Sequence, residues 1–340
     1  MEITKRHLLY WRLKNQFLVS KGKRLEVVSK LLGLQAQFAN NPKYALRIRA
    51  SDFDEETWSD GLVKTWIFRH TLHVIRSDEL GLYHSAYEGV PGGWADDWGM
   101  KAGRIESVAA FLMERIRAGL CGRAELKEQC REFGLSEQEM AYAFNGWGGI
   151  FSQMFRRGLI AYHPGVEKKF IFCKNVKFID RDAARLELIR RYFRNIGPAK
   201  KEDCFIFMGY YLNPRKAAQE LMRAAGLEAV TCEGEEYFYI GSIPEEDEIP
   251  KCLFLAGFDR MIMGYKNTNR TYLIDKKNMS EIVTPQGIAF PTVLLDGRVC
   301  AKWKMGNPVL VTSLENISGK NRRLIQNTGE EYFKCDVIFK

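Results

Sequence analysis

The chain has 340 residues, 46% of them hydrophobic and 27% charged, and carries a formal net charge of +9 from 51 basic and 42 acidic side chains. That length supports two or more cores, and with no low-complexity tract and no run of membrane-spanning length the composition excludes fibrous, disordered and membrane-spanning classes. The basic excess suits a polyanionic partner: it amounts to +4 over residues 101–180 and +6 over 251–340, against −3 over 181–250.

Eight cysteines stand at 121, 130, 173, 204, 232, 252, 300 and 335, with no C-x-x-C pair and no histidine at zinc-ligand spacing. They read as small buried hydrophobes in a reducing cytoplasm, with no metal expected. The basic start Met1–Arg6 is not followed by an apolar signal core, so the protein is expected to be soluble and cytoplasmic, with no membrane association.

Leu8, Leu9, Trp11, Leu13, Phe17 and Leu18 recur at helical spacing within 3–19, and Gly22 breaks the pattern. A second helix is expected from Leu25 to Leu34, running into Gln35-Ala36-Gln37. Two neutral amides behind a leucine-rich run either cap a local turn or line a groove that holds something polar. Asn40-Asn41-Pro42 makes a turn, and Tyr44–Arg49 follows as helix or strand. Asp52–Val63 reads as a short helix with an acidic first turn. Thr65–Arg76 has the alternation of a hairpin around Arg69-His70, and a helix opens at Ser77-Asp78.

Helices followed by a hairpin outline a winged helix, and the outline recurs. Ile105–Arg117 and Arg123–Phe133 are helical, and Ser136 with Glu139 opens a longer third helix expected to reach Phe155-Arg156-Arg157. Leu159–Tyr162 and Lys169–Phe172 then flank Pro164-Gly165 as a wing. A third copy takes Asp182–Arg194, Glu202–Tyr210 and Pro214–Ala225 as helices, and pairs Ala229–Cys232 with Tyr237–Ile240. The tail changes to short apolar runs, with Asp296-Gly297 as a hairpin signal, and is expected to close as a small β-barrel. The fold class is therefore α+β: winged helices at 1–100, 101–180 and 181–250, and a barrel at 251–340.

Leu32-Gly33-Leu34-Gln35-Ala36-Gln37, Thr65–His73, Gly257-Phe258-Asp259 and Asp296-Gly297-Arg298-Val299 occur in an order that resembles the bacterial winged-helix alkylpurine DNA glycosylases of the AlkZ/YcaQ type, across essentially the whole chain. The resemblance implies three winged helices and a barrel forming a C-shaped body with a basic central channel. It implies excision of N-alkylated purines, and in AlkZ-type members the unhooking of interstrand crosslinks joined through guanine N7. Gln35 and Gln37 match the Gln-x-Gln version of the catalytic triplet, with the roles of placing water and stabilising the sugar cation. No cofactor is required. The pattern places a glycine before Thr-Leu-His where this chain has His70, and a shorter aspartate-arginine ending where it has Tyr265–Arg270; the first departure bears on the hairpin and the substrate range.

Taken alone, Gln-x-Gln is a polar helix end. His73 either orients the site, touches a phosphate or is structural; Arg69 and His70 stand beside it as possible support. Arg156, Arg157, Lys168 and Lys169 are expected to meet phosphates rather than form a merely solvated face, with Lys302, Lys304, Lys320, Arg322 and Arg323 as the analogous set in the barrel. Tyr44, Arg47 and Arg49 either line the same channel or pack; Trp94, Trp98 and Trp147 are stacking platforms or loop anchors. The expectation is a monomeric glycosylase acting on double-stranded DNA that carries alkylated purines. The alternative is a winged-helix DNA-binding protein or regulator without catalysis.

Overall fold

The computed structural model describes residues 1–87, 100–145, 149–165 and 167–340. The fold is α+β, and the chain forms two compact units, one of Met1–Trp58 with Leu186–Lys340 and one of Ser59–Arg185. The helices before Trp58 thus group with the C-terminal half, a division that differs from the four expected segments.

In the first unit, five strands run in the order Val337–Phe339, Val309–Ser313, Arg298–Lys304, Thr292–Leu295, Cys252–Leu255. The sheet is open: its first and last members are edges and do not pair with each other, so the expected barrel is not closed. Asp296 and Gly297 take φ of 45° and 77°, the left-handed pair of a two-residue hairpin turn. Side chains alternate by face. Leu253, Leu255 and Leu294 pack with Leu9, Leu13, Ile48 and Ile262 on one side, while Cys252, Phe254, Val293 and Trp303 pack with Ile325 and Phe333 on the other.

Ile325 and Phe333 lie on a helix, Gly319–Phe333, that the sequence pattern does not reveal. Its Asn321, Asn327, Thr328 and Gly329 are weak helix formers, and tertiary packing overrides them. Gly329 is needed there, since a Cβ would come within 2.8 Å of both Phe254 and Val337. Lys320, Arg322 and Arg323 therefore ride on this helix and not on a barrel strand. Two of the tail's short apolar runs, Met261-Ile262-Met263 and Glu281-Ile282-Val283, which a barrel would hold as strands, fall instead at the short helices Arg260–Met263 and Met279–Ile282.

The N-terminal helix Lys5–Asn15 is capped by Thr4, whose side chain accepts from the His7 N–H at 2.9 Å. Its Leu8 and Trp11 pack on the hairpin of Glu228–Cys232 and Glu235–Tyr239. One turn after Leu8 the Arg12 guanidinium enters the interior, 4.2 Å from the Tyr265 ring and 4.3 Å from that of Tyr272, and donates through Nε to the Pro198 carbonyl at 2.9 Å.

In the second unit the two hairpins merge. Leu62–Ile67 pairs antiparallel with Thr71–Arg76 and, at Lys64, with Tyr162 of Ile160–Tyr162, which pairs with Phe170–Phe172. The expected helix at Asp52–Val63 is absent: Asp54 accepts from the Glu56 and Thr57 N–H groups at 3.0 and 2.9 Å, a local turn that outcompetes a helix, and a strand already begins at Leu62. The helix opened by Ser136 ends at Ala143, and Arg156 belongs to a separate helix, Gly149–Arg156. Trp94, Trp98 and Trp147 lie outside the described residues.

His84 is buried in this unit, with Nε2 3.4 Å from the Thr65 hydroxyl. Burial lowers its pKa from 6.5 to about 4. The unfolded chain binds that proton first as pH falls, so this stability is complete above pH 6.5 and is lost progressively down to pH 4. The loss approaches about 3 kcal/mol for a shift of this size. A His84→Leu variant is expected to flatten the dependence of the unfolding free energy on pH over that window in denaturant titrations; an unchanged slope contradicts the assignment.

Candidate active site

The glutamine pair does not end a helix. The second helix stops at Lys30, and the chain then turns through two left-handed residues, Leu32 at φ 54° and Gly33 at 76°, into the short strand Leu34–Gln35. Glycine takes such a conformation freely, whereas leucine pays about 1–2 kcal/mol for it. What holds the turn is Arg260. Its Nε donates to the carbonyls of Leu31 (2.9 Å) and Gly33 (3.2 Å), and its Nη2 to those of Leu32 (3.3 Å) and Gly33 (2.7 Å). The guanidinium is 2% exposed and lies over the Phe207 ring at 4.7 Å. A planar fork of donors meets three consecutive carbonyls, which a lysine cannot reproduce.

The neighbouring Asp259 ties in a third element. Its Oδ1 accepts from the Met261 N–H at 3.0 Å, capping the helix Arg260–Met263, and from Arg49 Nη2 at 2.8 Å. Arg49 also donates through Nε to the Gln16 carbonyl at 2.9 Å, and the two side chains of the ion pair are 0% and 1% exposed. Around these groups is a cavity of about 10 Å³ lined by Leu31, Leu34, Gln35, Asn41, Ala45, Arg49 and Gly257–Arg260, a volume that suits one water molecule.

Gln35 is buried and lines this cavity, Ala36 is buried, and Gln37 is exposed. Phe38 follows with its ring 5.7 Å from that of Phe258. The triplet thus presents one amide to the interior and one to solvent. Arg49, expected as a DNA contact, is fully buried in its ion pair and does not present its charge at the surface. Arg47 is held by the Glu55 carboxylate, with its guanidinium 5.5 Å from the Phe53 ring and 5.8 Å from that of Phe333, so its charge is engaged by protein. Tyr44 packs edge-on to Trp303 and Phe333. Packing accounts for all three.

The hairpin residues belong to the second unit. Arg69 and His70 both take left-handed φ, 55° and 52°; His70 stands exposed at the position where the family pattern has glycine, and its Nε2 is 3.0 Å from the Tyr87 hydroxyl. His73 is 0% exposed, with Nδ1 3.0 Å from the Thr71 carbonyl and its ring edge-on to Phe68, so its ring does not stand at the surface. Arg156 is exposed and Arg157 half-buried. Lys168 and Lys169 are exposed, Lys169 pairing with Glu167 at 2.7 Å. Buried Lys64 donates to the Gly165 carbonyl at 2.7 Å, and burial, with the charge of Lys168, lowers its pKa to about 8. Lys302 pairs with Glu281 at 2.8 Å, and Lys304 is exposed. At the second departure, Asp203 Oδ1 accepts from the Lys266 N–H and the Asn269 side chain at 2.8 and 2.7 Å, so Tyr265–Arg270 is a packed turn. No group of three or more His, Cys, Asp or Glu side chains able to hold a metal ion stands among the described residues.

A family model for AlkZ-like DNA glycosylases matches residues 28–333, nine-tenths of the chain. The chain belongs to the AlkZ-like DNA glycosylase family. It is 25% identical over 341 residues to the interstrand DNA cross-link repair glycosylase of Streptomyces sahachiroi, covering 92% of this chain and 91% of that one. The solved structure of Streptomyces sahachiroi DNA glycosylase AlkZ superposes with a TM-score of 0.80 over the whole of both chains at 21% identity, a likeness of fold. As an AlkZ-like enzyme the chain is a DNA glycosylase acting in DNA repair, and no described helix is long and apolar enough to cross a membrane.

Asn41, Asp259 and Arg260 are the site residues that sequence reasoning did not single out as functional. The signal was present: two adjacent charges between Phe258 and Met261-Ile262-Met263 cannot be buried without dedicated partners. The left-handed turn at His70 makes its own prediction. His70→Gly is expected to exceed His70→Ala in stability by about 1 kcal/mol, read as thermal midpoints; Ala equal to or above Gly contradicts the observed backbone.

Proposed function

We propose that this glycosylase hydrolyses the N-glycosidic bond of cationic N-alkylated purines in duplex DNA, N7-alkylguanine first among them. The observation that carries the reading is the triplet itself: buried Gln35 lines a small cavity that Asn41 and Asp259 also line, while Gln37 is exposed, and neither is an acid. A purine alkylated at N7 already bears the positive charge that makes it a leaving group. The water oxygen bonds to the sugar C1′ as the C1′–N9 bond breaks, the bond's electron pair neutralises the departing base, and the water's proton passes to solvent. The chain therefore needs to place water and shield an oxocarbenium-like centre, work suited to fixed amide dipoles. Gln35 and Gln37 take these roles. Glutamine is a poor general base, so unmodified purines are spared. No cofactor takes part.

The reading extends to interstrand crosslinks joined through guanine N7, supported by the cross-link repair for which the Streptomyces sahachiroi relative is named. The partner is double-stranded DNA, bound by a monomer in the cytoplasm. Exposed Arg156, Lys168, Lys169 and Lys304, with half-buried Arg157 and Lys302, are the proposed phosphate contacts. The helix-plus-hairpin repeats at 1–100, 101–180 and 181–250 are read as winged helices, ahead of the C-terminal module at 251–340.

The test is excision of N7-methylguanine from duplex DNA, scored as abasic sites. Gln35→Ala and Gln37→Ala are each expected to slow single-turnover excision by about 10²-fold or more with duplex binding retained. Tight binding by the unaltered protein without abasic product would instead identify a non-catalytic DNA-binding protein. Replacing Lys168 and Lys169 by Gln is expected to reduce the slope of log affinity against log salt by roughly 0.9 for each phosphate that is no longer neutralised; an unchanged slope removes both lysines from the DNA surface.

A further inference from the structure

The cavity beneath Gln35 contains two buried polar atoms with no protein partner. One is the Nδ2 of Asn41 and the other the Oδ2 of Asp259, on side chains whose residues are 6% and 4% exposed. Both residues line the cavity. One is a hydrogen-bond donor and the other a charged acceptor. Leaving either buried and unsatisfied is costly, and their arrangement is enforced. Arg49 and the Met261 N–H occupy Oδ1 of Asp259, which leaves Oδ2 as the carboxylate's free end. Gly257 leaves room for the Asn41 amide, because a Cβ there would come within 2.7 Å of Nδ2.

We propose that Asn41 and Asp259 hold one ordered water in this cavity, and that they are positioning residues acting on Gln35 through it. The water accepts from Asn41 Nδ2 and donates to Asp259 Oδ2. One lone pair and one proton remain, and Gln35 lines the same cavity, so the water adds a contact that holds this side chain. This assigns a role to Gly257-Phe258-Asp259: the segment supplies the second oxygen of an ion-paired carboxylate to the water beside the triplet. The inference rests on the glycosylase reading for its effect on rate, and on the cavity alone for the water.

Two variants and one structure test it. Asp259→Asn keeps the shape and an oxygen for Arg49, but removes the charge and alters the donor pattern at the water. Gly257→Ala removes no polar group but displaces the Asn41 amide, and its Cβ also comes within 3.2 Å of the Ala289 carbonyl oxygen; no positive φ stands against it. Each is expected to lower single-turnover excision by roughly 10²-fold in the folded fraction, the scale of a small misplacement, while the affinity for lesion duplex stays within twofold. A merely structural role would lower the thermal midpoint and leave the rate of the folded fraction unchanged. A crystal structure of the unaltered protein is expected to show one water within hydrogen-bond distance of both atoms. Wild-type excision rates in both variants, or protein partners on both atoms with no water between them, overturn the proposal. Failure of the unaltered protein to excise any alkylated base defeats the glycosylase reading instead, and leaves the water to be decided by crystallography.

Discussion

Two buried arginines, Arg260 and Arg49, fix the site. Arg260 satisfies three successive carbonyls in a turn where leucine adopts a glycine conformation, and Arg49 holds the carboxylate of the residue next to it. Both are desolvated, and neither is evidence of net stability: a buried pair roughly breaks even against apolar packing, whereas losing one partner costs about 3–5 kcal/mol. What they supply is geometry. The turn that presents Gln35 is unfavourable by itself and persists because the surroundings determine it fully, with Leu31 and Leu32 completely buried beneath it.

Residues some 220 positions apart form one site in this way. Gln35 follows the second helix, Arg49 ends the third, and Asp259 and Arg260 leave the first strand of the C-terminal sheet. That sheet in turn is placed by a two-sided core, N-terminal helices on one face and Gly319–Phe333 on the other. The segment that carries Gln35 is thus mounted on a scaffold supplied by the far end of the chain.

Much of this was legible in the sequence, and the misses have physical causes. Periodicity located the hairpins and most helices because those patterns depend on local spacing. It failed at Gly319–Phe333, where burial against Phe254 and Val337 outweighs poor propensity, and at Asp52–Val63, where the Asp54 side chain captures backbone donors. It extended a helix through Leu34 because leucine rarely adopts positive φ, and the partner that permits it lies at 260. The glutamines stood out as neutral amides behind a leucine-rich run, and the resemblance supplied the catalytic role expected of them. Arg49 looked like a phosphate contact because sequence shows a charge without showing its ion-pair partner.

The central claim is that Arg260 acts on catalysis through the turn that carries Gln35. A double-mutant cycle on single-turnover excision of N7-methylguanine tests it, using Arg260→Lys, Gln35→Ala and the pair, each measured on folded protein. If Arg260 works through Gln35, the double variant is no slower than Gln35→Ala alone, because the amide to be positioned is already gone. If the two losses multiply, Arg260 contributes independently of Gln35 and the account is wrong.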